Sequence, residues 1–231
     1  MKKRDPFDFW FAVNNTEIVL LPKRHLETFG ATMLHYHLVS ELMDTVGQVR
    51  VREGRMQANK PQIITPEAYS KVLLEGFGEA ASRYVDWLRE HESNVHILQY
   101  GYSLKQESYS EHLVSDAIEN VVARVKADIE KKDDPTHAVI RGVEEPWDVC
   151  LVKLFREIIQ QSAESNIREL SSRRMFESVD GVPRGVRDDI EAAFMAASRN
   201  PALIKPLGNK LRKHGLFELY QDRFFSLLKE T

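Results

Sequence analysis

Two histidines one residue apart, His35 and His37, form the spacing in this sequence best suited to metal chemistry. In a strand, residues i and i+2 project from the same face, so the two imidazoles stand side by side and offer two nitrogen ligands to one divalent ion. A complete site needs a third ligand, and His25, His96 or an acidic residue brought in by the fold would supply it. Met33 and Val39 share that face, so the alternative is a pair of hydrogen-bonded imidazoles beneath a helical layer.

A second set is basic. Arg50, Arg52 and Arg55, with Lys23 and Arg24 nearby, concentrate positive charge in one strand region, and Arg50 and Arg52 share a face. With Tyr36 or Trp10 exposed beside them, they would suit a phosphate-bearing ligand or a nucleic-acid single strand. Arg141 joins them as a candidate binding residue. The alternative is a solvated face that discourages edge pairing. The start of the helix expected after Pro146 carries Glu144, Glu145 and Asp148, which argues against a phosphate there. Glu144 and Asp148 would serve acid–base chemistry only if burial shifted one of them.

Cys150, the single cysteine, lies in an apolar helical pattern without a nearby cation and reads as a buried thiol. The chain has no G-x-G-x-x-G, no Walker-type loop, no G-x-S-x-G, no H-E-x-x-H and no C-x-x-C. No cofactor is therefore expected for the main reading, and a divalent metal is the alternative that the histidine pair leaves open.

These residues must be positioned by elements that the periodicity marks. Alternation from Phe7 to Val13, Asn14-Asn15 as a turn, and Thr16 to Leu21 predict a hairpin. Thr32 to Val39, a turn at Asp44 to Gly47, and Gln48 to Gln57 predict a second, with Gly54 marking a bulge or an end. Phe77, Ala81, Tyr84 and Leu88 predict a helix. His96 to Leu104 and Tyr109 to Val114 predict paired strands. Asp116 with Glu119 resembles a capping box ahead of the stripe Ile118, Val121, Val122, Val125 and Ile129. His137 to Val143 predicts a last strand. From Pro146 the period stays helical, with Trp147, Leu151, Leu154, Phe155 and Ile158 as the first stripe and Gly215 as a helix stop. The fold class expected is α+β: a mostly antiparallel sheet with two helices, followed by an all-helical C-terminal segment packed on it. The division is 1–143 and 144–231.

The 231 residues carry 32 Lys+Arg and 35 Asp+Glu, for a net charge of −3. Hydrophobic residues at 42% and charged residues at 29% exclude a disordered or fibrous chain. The acidic balance disfavours a dedicated nucleic-acid partner. No run approaches the ~18 apolar residues of a membrane helix. The basic N-terminus is broken by Asp5, Pro6 and Asp8 and does not read as a signal peptide. The expected location is the cytoplasm and the expected partner another protein.

Thr28-Phe29-Gly30 through His35-Tyr36, with Arg141-Gly142-Val143 and Trp147-Asp148, is similar to a family of bacterial proteins that has no assigned function. That resemblance implies a bacterial, cytoplasmic protein and carries over no site residue. The function expected is a non-catalytic binding or regulatory protein using its sheet face or the sheet–helix cleft. The alternatives are a metal-dependent enzyme centred on His35 and His37, and a weak phosphate or single-stranded nucleic-acid binder.

Overall fold

A computed structural model describes residues 11–65 and 97–229. In chain order the strands are β1 (Glu17–Leu20), β2 (Thr32–Glu41), β3 (Gln48–Ala58), β4 (Gln62–Ile64), β5 (Ile97–Gln99), β6 (Tyr102–Ser115), β7 (His137–Gly142), β8 (Ser178–Val179) and β9 (Val182–Pro183). The helices are α1 (Ile118–Lys132), α2 (Trp147–Ser172), α3 (Arg184–Arg199), α4 (Ile204–Lys213) and α5 (Gln221–Lys229). The chain forms two compact units, residues 1–60 with 100–169, and residues 61–99 with 170–231.

The first unit is built on a five-stranded sheet in the order β1-β7-β2-β3-β6. Three of its pairings are antiparallel and β2–β7 is parallel, so the sheet is mixed. The β2–β3 hairpin forms as the alternation predicts, with positive φ at Gly47 in its turn. The β6–α1–β7 connection is a crossover, which is why β7 can lie parallel to β2.

One sheet face presents Leu34, Tyr36, Leu38, Met56 and Ile140 to Cys150, Leu151, Leu154, Phe155 and Ile158 of α2. The opposite face presents Val39, Val49 and Val51 to Ile118 and Val121 of α1. Two covered faces explain why β2 reads as nearly continuous burial rather than as clean alternation. The stripe starting at Trp147 packs on the sheet as expected, and Cys150 is buried.

Several local expectations are corrected. Residues 11–14 are helical, closed by Asn15 N–H and Thr16 Oγ1 donating to the carbonyls of Phe11 and Ala12, so no hairpin forms at Asn14-Asn15. The returning strand β1 pairs with β7 instead. A few alternating residues fit a buried helical turn as well as a strand, and Ala12 is fully buried. The expected partners at 96–104 and 109–114 are not a hairpin. Ile97–Gln99 pairs with β4, and β6 runs unbroken along β3 with an irregularity between Glu53 and Arg55. Gly54 itself stays in register with Tyr36, where a Cβ would stand 2.5 Å from the Tyr36 hydroxyl oxygen. Asp116 Oδ1 accepts from Ala117 N–H and Asn120 Nδ2, while Glu119 pairs with Arg141, so the capping box is not formed. The helix expected at 77–88 lies outside the described residues.

In the second unit, α3, α4 and α5 enclose a core of Val186, Ile190, Phe194, Leu207, Leu211 and Phe224. A two-residue hairpin, β8–β9, interrupts the helical segment where Asp180 and Gly181 take positive φ. Gly215 has φ +69 and ends α4 as expected. Among the described residues, no helix is long and apolar enough to cross a membrane.

Candidate metal centre

The parallel ladder sets His35 opposite His137, and the antiparallel ladder sets Arg55 opposite His35 and Glu53 opposite His37. Residues opposite one another share a face. The rows therefore bring His137, His35 and Arg55 together, with His37 and Glu53 beside them, on the face that α1 covers further along. Here the helix has ended. Its last residue, Lys132, lines an open pocket of ≈ 590 Å³ with His35, His37, Glu53, Arg55 and His137. The loop from α1 into β7 supplies Asp134 and Thr136.

The hydrogen bonds assign the imidazole protons. The Thr136 hydroxyl and N–H both donate to Asp134 Oδ1, at 2.7 and 2.9 Å. With that hydroxyl proton committed, Thr136 Oγ1 must accept from His35 Nδ1 at 3.0 Å. Glu53 Oε1 accepts from His37 Nδ1 at 2.9 Å, so a neutral His37 has only a lone pair on Nε2. That lone pair accepts from His137 Nδ1, also at 2.9 Å. His137 Nε2 is then left with a lone pair facing Asp134 Oδ2 at 3.3 Å, the longest junction in the chain of contacts.

An imidazolium at His137 would close that junction as an ion pair. The surroundings oppose it. Burial, followed by the neighbouring His37, holds His137 below the ordinary histidine pKa, with Asp134 pulling the other way. Burial also lowers His37 against the pull of Glu53, and burial and His137 lower His35. Asp134 is held below the usual carboxylate range by the Thr136 hydroxyl and N–H. Near neutral pH the three rings are thus neutral and Asp134 is a carboxylate. One ligand atom each from His35, Asp134 and His137 lies within 4.8 Å of the other two.

This donor set suits a divalent transition metal: two imidazoles and one carboxylate, with open positions. Ligand atoms at 2.0–2.2 Å from a tetrahedral ion stand about 3.3–3.6 Å apart. The His35 and His137 rings are stacked with centroids 4.6 Å apart, so joint ligation of one ion would require side-chain rotation to bring their nitrogens together. The supporting contacts fit as well: His137 is oriented by His37, which is held by Glu53, and His35 and Asp134 are both held by Thr136.

The other sequence candidates fall elsewhere. Of the pair read from the sequence, His35 belongs to the group with Asp134 and His137, whereas His37 bonds His137 on one side and Glu53 on the other. His25 is exposed, outside the cluster, and His96 lies outside the described residues. Arg55 lines the pocket, but Arg50 and Arg52 project from the opposite face, opposite Ser40 and Leu38. There Arg52 is buried and bonds Glu144 Oε1 and Oε2, Ser40 and Tyr109, under the Trp147 ring. Tyr36, expected to be exposed, is buried beneath α2. Arg141 pairs with Glu119 at 3.1 Å. The sequence allows an acidic third ligand without pointing to Asp134, and it does not single out His137. The available signal was an acid and an imidazole three residues apart in the loop that opens a strand. Comparison of the chain with protein-family models, curated proteins and solved structures finds no match.

Proposed function

We propose that the protein is a divalent-metal-dependent enzyme whose centre is His35, Asp134 and His137. The observation that carries this reading is the grouping of one ligand atom each from His35, Asp134 and His137 within 4.8 Å of one another, at the edge of a pocket that both histidines line. Structural zinc sites are closed by four protein ligands, whereas catalytic ones keep a position for water or substrate. Three ligands, two of which line an open pocket of ≈ 590 Å³, match the second kind. A bound ion would supply Lewis-acid activation of a water or substrate oxygen. Glu53, half-exposed on the pocket wall and already bonded to His37, is placed to hold a proton from that oxygen.

The test is metal content and metal-linked stability of untagged protein. One equivalent of Zn²⁺, Mn²⁺ or Fe²⁺ should raise the melting temperature of the wild type and leave a His35→Ala/His137→Ala variant unmoved. No stoichiometric metal, together with no thermal response to any of the three ions, overturns the reading.

A further inference from the structure

The pocket holds a feature that metal ligation does not use. Arg55 and Lys132 both line it, and neither has an ion-pair partner among the described residues, although Glu53 is part of the same wall. Other arginines of this unit are matched: Arg24 with Glu27, Arg50 and Arg52 with Glu144, Arg124 with Asp116, and Arg141 with Glu119. Arg55 is directly opposite His35 on the neighbouring strand, which keeps it beside the metal-facing ring. Lys132 is the last residue of α1, two residues before Asp134. Both lie close enough for their positive charge to act on His35.

We propose that the open side of the centre binds a dianionic oxyanion group, a phosphate or a dicarboxylate, between the metal and the side chains of Arg55 and Lys132. The proposal rests on the metal reading above. Charge balance carries it. A divalent ion with Asp134 leaves one positive charge, Arg55 and Lys132 add two, and Glu53 removes one. The wall is then doubly positive, which a dianion neutralises. The guanidinium fork pairs with two oxygens of such a group and the ammonium supplies a point charge to a third. A phosphate monoester carries close to two negative charges near neutral pH, as does a dicarboxylate.

The test is calorimetric titration of the full chain, with and without Mn²⁺, using inorganic phosphate in one arm and malonate in the other. An Arg55→Ala/Lys132→Ala variant is run alongside, because both side chains are exposed and neither is a ligand of the ion. The metal-loaded wild type should bind one of the anions about tenfold or more tightly than either the metal-free protein or the variant. Binding in the phosphate arm alone assigns a phosphoryl group, and in the malonate arm alone a carboxylate pair. If Mn²⁺ binds both proteins equally and neither anion distinguishes them, the oxyanion proposal is overturned while the metal centre stands. If Mn²⁺ does not bind the wild type, both fall.

Discussion

Removal of the Glu144 carboxylate should test how the sheet carries a buried charge. The Arg52 side chain is 2% exposed, and Glu144 meets it with both carboxylate oxygens, at 3.1 and 3.2 Å. In Glu144→Ala the guanidinium keeps Ser40 and Tyr109 as acceptors and has Glu111 at 3.5 Å, a carboxylate that is 44% exposed. Truncating one partner of a buried pair costs about 3–5 kcal/mol. The residual contacts to Glu111 and Tyr109 place this case near 3 kcal/mol. Arg50, a quarter exposed, also loses Glu144, which adds about 0–1 kcal/mol. The pair itself contributes much less than this, because its formation is offset by desolvation. Arg52→Met with Glu144→Leu should therefore recover most of the loss. The assay is urea unfolding followed by Trp147 fluorescence in a Trp10→Phe/Trp87→Phe background, since the Trp147 ring lies 5.5 Å from the guanidinium carbon. A loss under about 1 kcal/mol in Glu144→Ala, or a double variant as unstable as the single one, would refute the reasoning.

Three further outcomes follow from the same structure. His37→Ala should leave the three ligands in place but release His137, weakening metal affinity by roughly 10–100-fold without abolishing it; a fluorescent metal competitor measures this, and unchanged affinity would remove His37 as the orienting residue. In metal-free protein, His35, His37 and His137 have folded pKa values below the ordinary value of 6.5, so the unfolded chain takes up protons first. Their contribution is then fully present above about pH 6.5 and lost as pH falls through that value toward the folded ones. Urea midpoints measured from about pH 7.5 to 5.5 should fall, and fall less in a variant with all three residues changed to Gln; a flat or rising wild-type midpoint contradicts this. Gly54→Ala should destabilise the β2–β3 hairpin by about 1–3 kcal/mol, because the new methyl meets the buried Tyr36 ring, and adding Tyr36→Phe should restore part of it. Thermal melts of the two variants check that order.

Features that depend on local period and local chemistry were legible in the residues alone. The α+β class, the β2–β3 hairpin with its Gly47 turn, the apolar stripes of α1 and α2 and the burial of Cys150 all follow from spacing that one element satisfies alone. Side-by-side placement of His35 and His37 was legible for the same reason, since parity along a strand assigns a face. That parity also separates Arg55 from Arg50 and Arg52, a division the sequence contained. Where the structure departed, the competing elements were short: residues 11–14 satisfy a turn of helix and a strand equally well.

Which distant residues meet is settled by packing. His137 stands opposite His35 because β7 enters the sheet parallel to β2 after the α1 crossover, and no local pattern states that pairing or its register. Asp134 reaches the cluster because the loop before β7 begins where α1 ends. Glu144 turns Arg52 from a candidate ligand-binding charge into a buried structural pair across 92 residues of chain. Even the partners of His37 depend on His137 arriving on one side of it and Glu53 on the other. Hydrophobic periodicity selects the elements because each can bury its own apolar face. The polar site forms only where several elements end together, and that is a property of their packing.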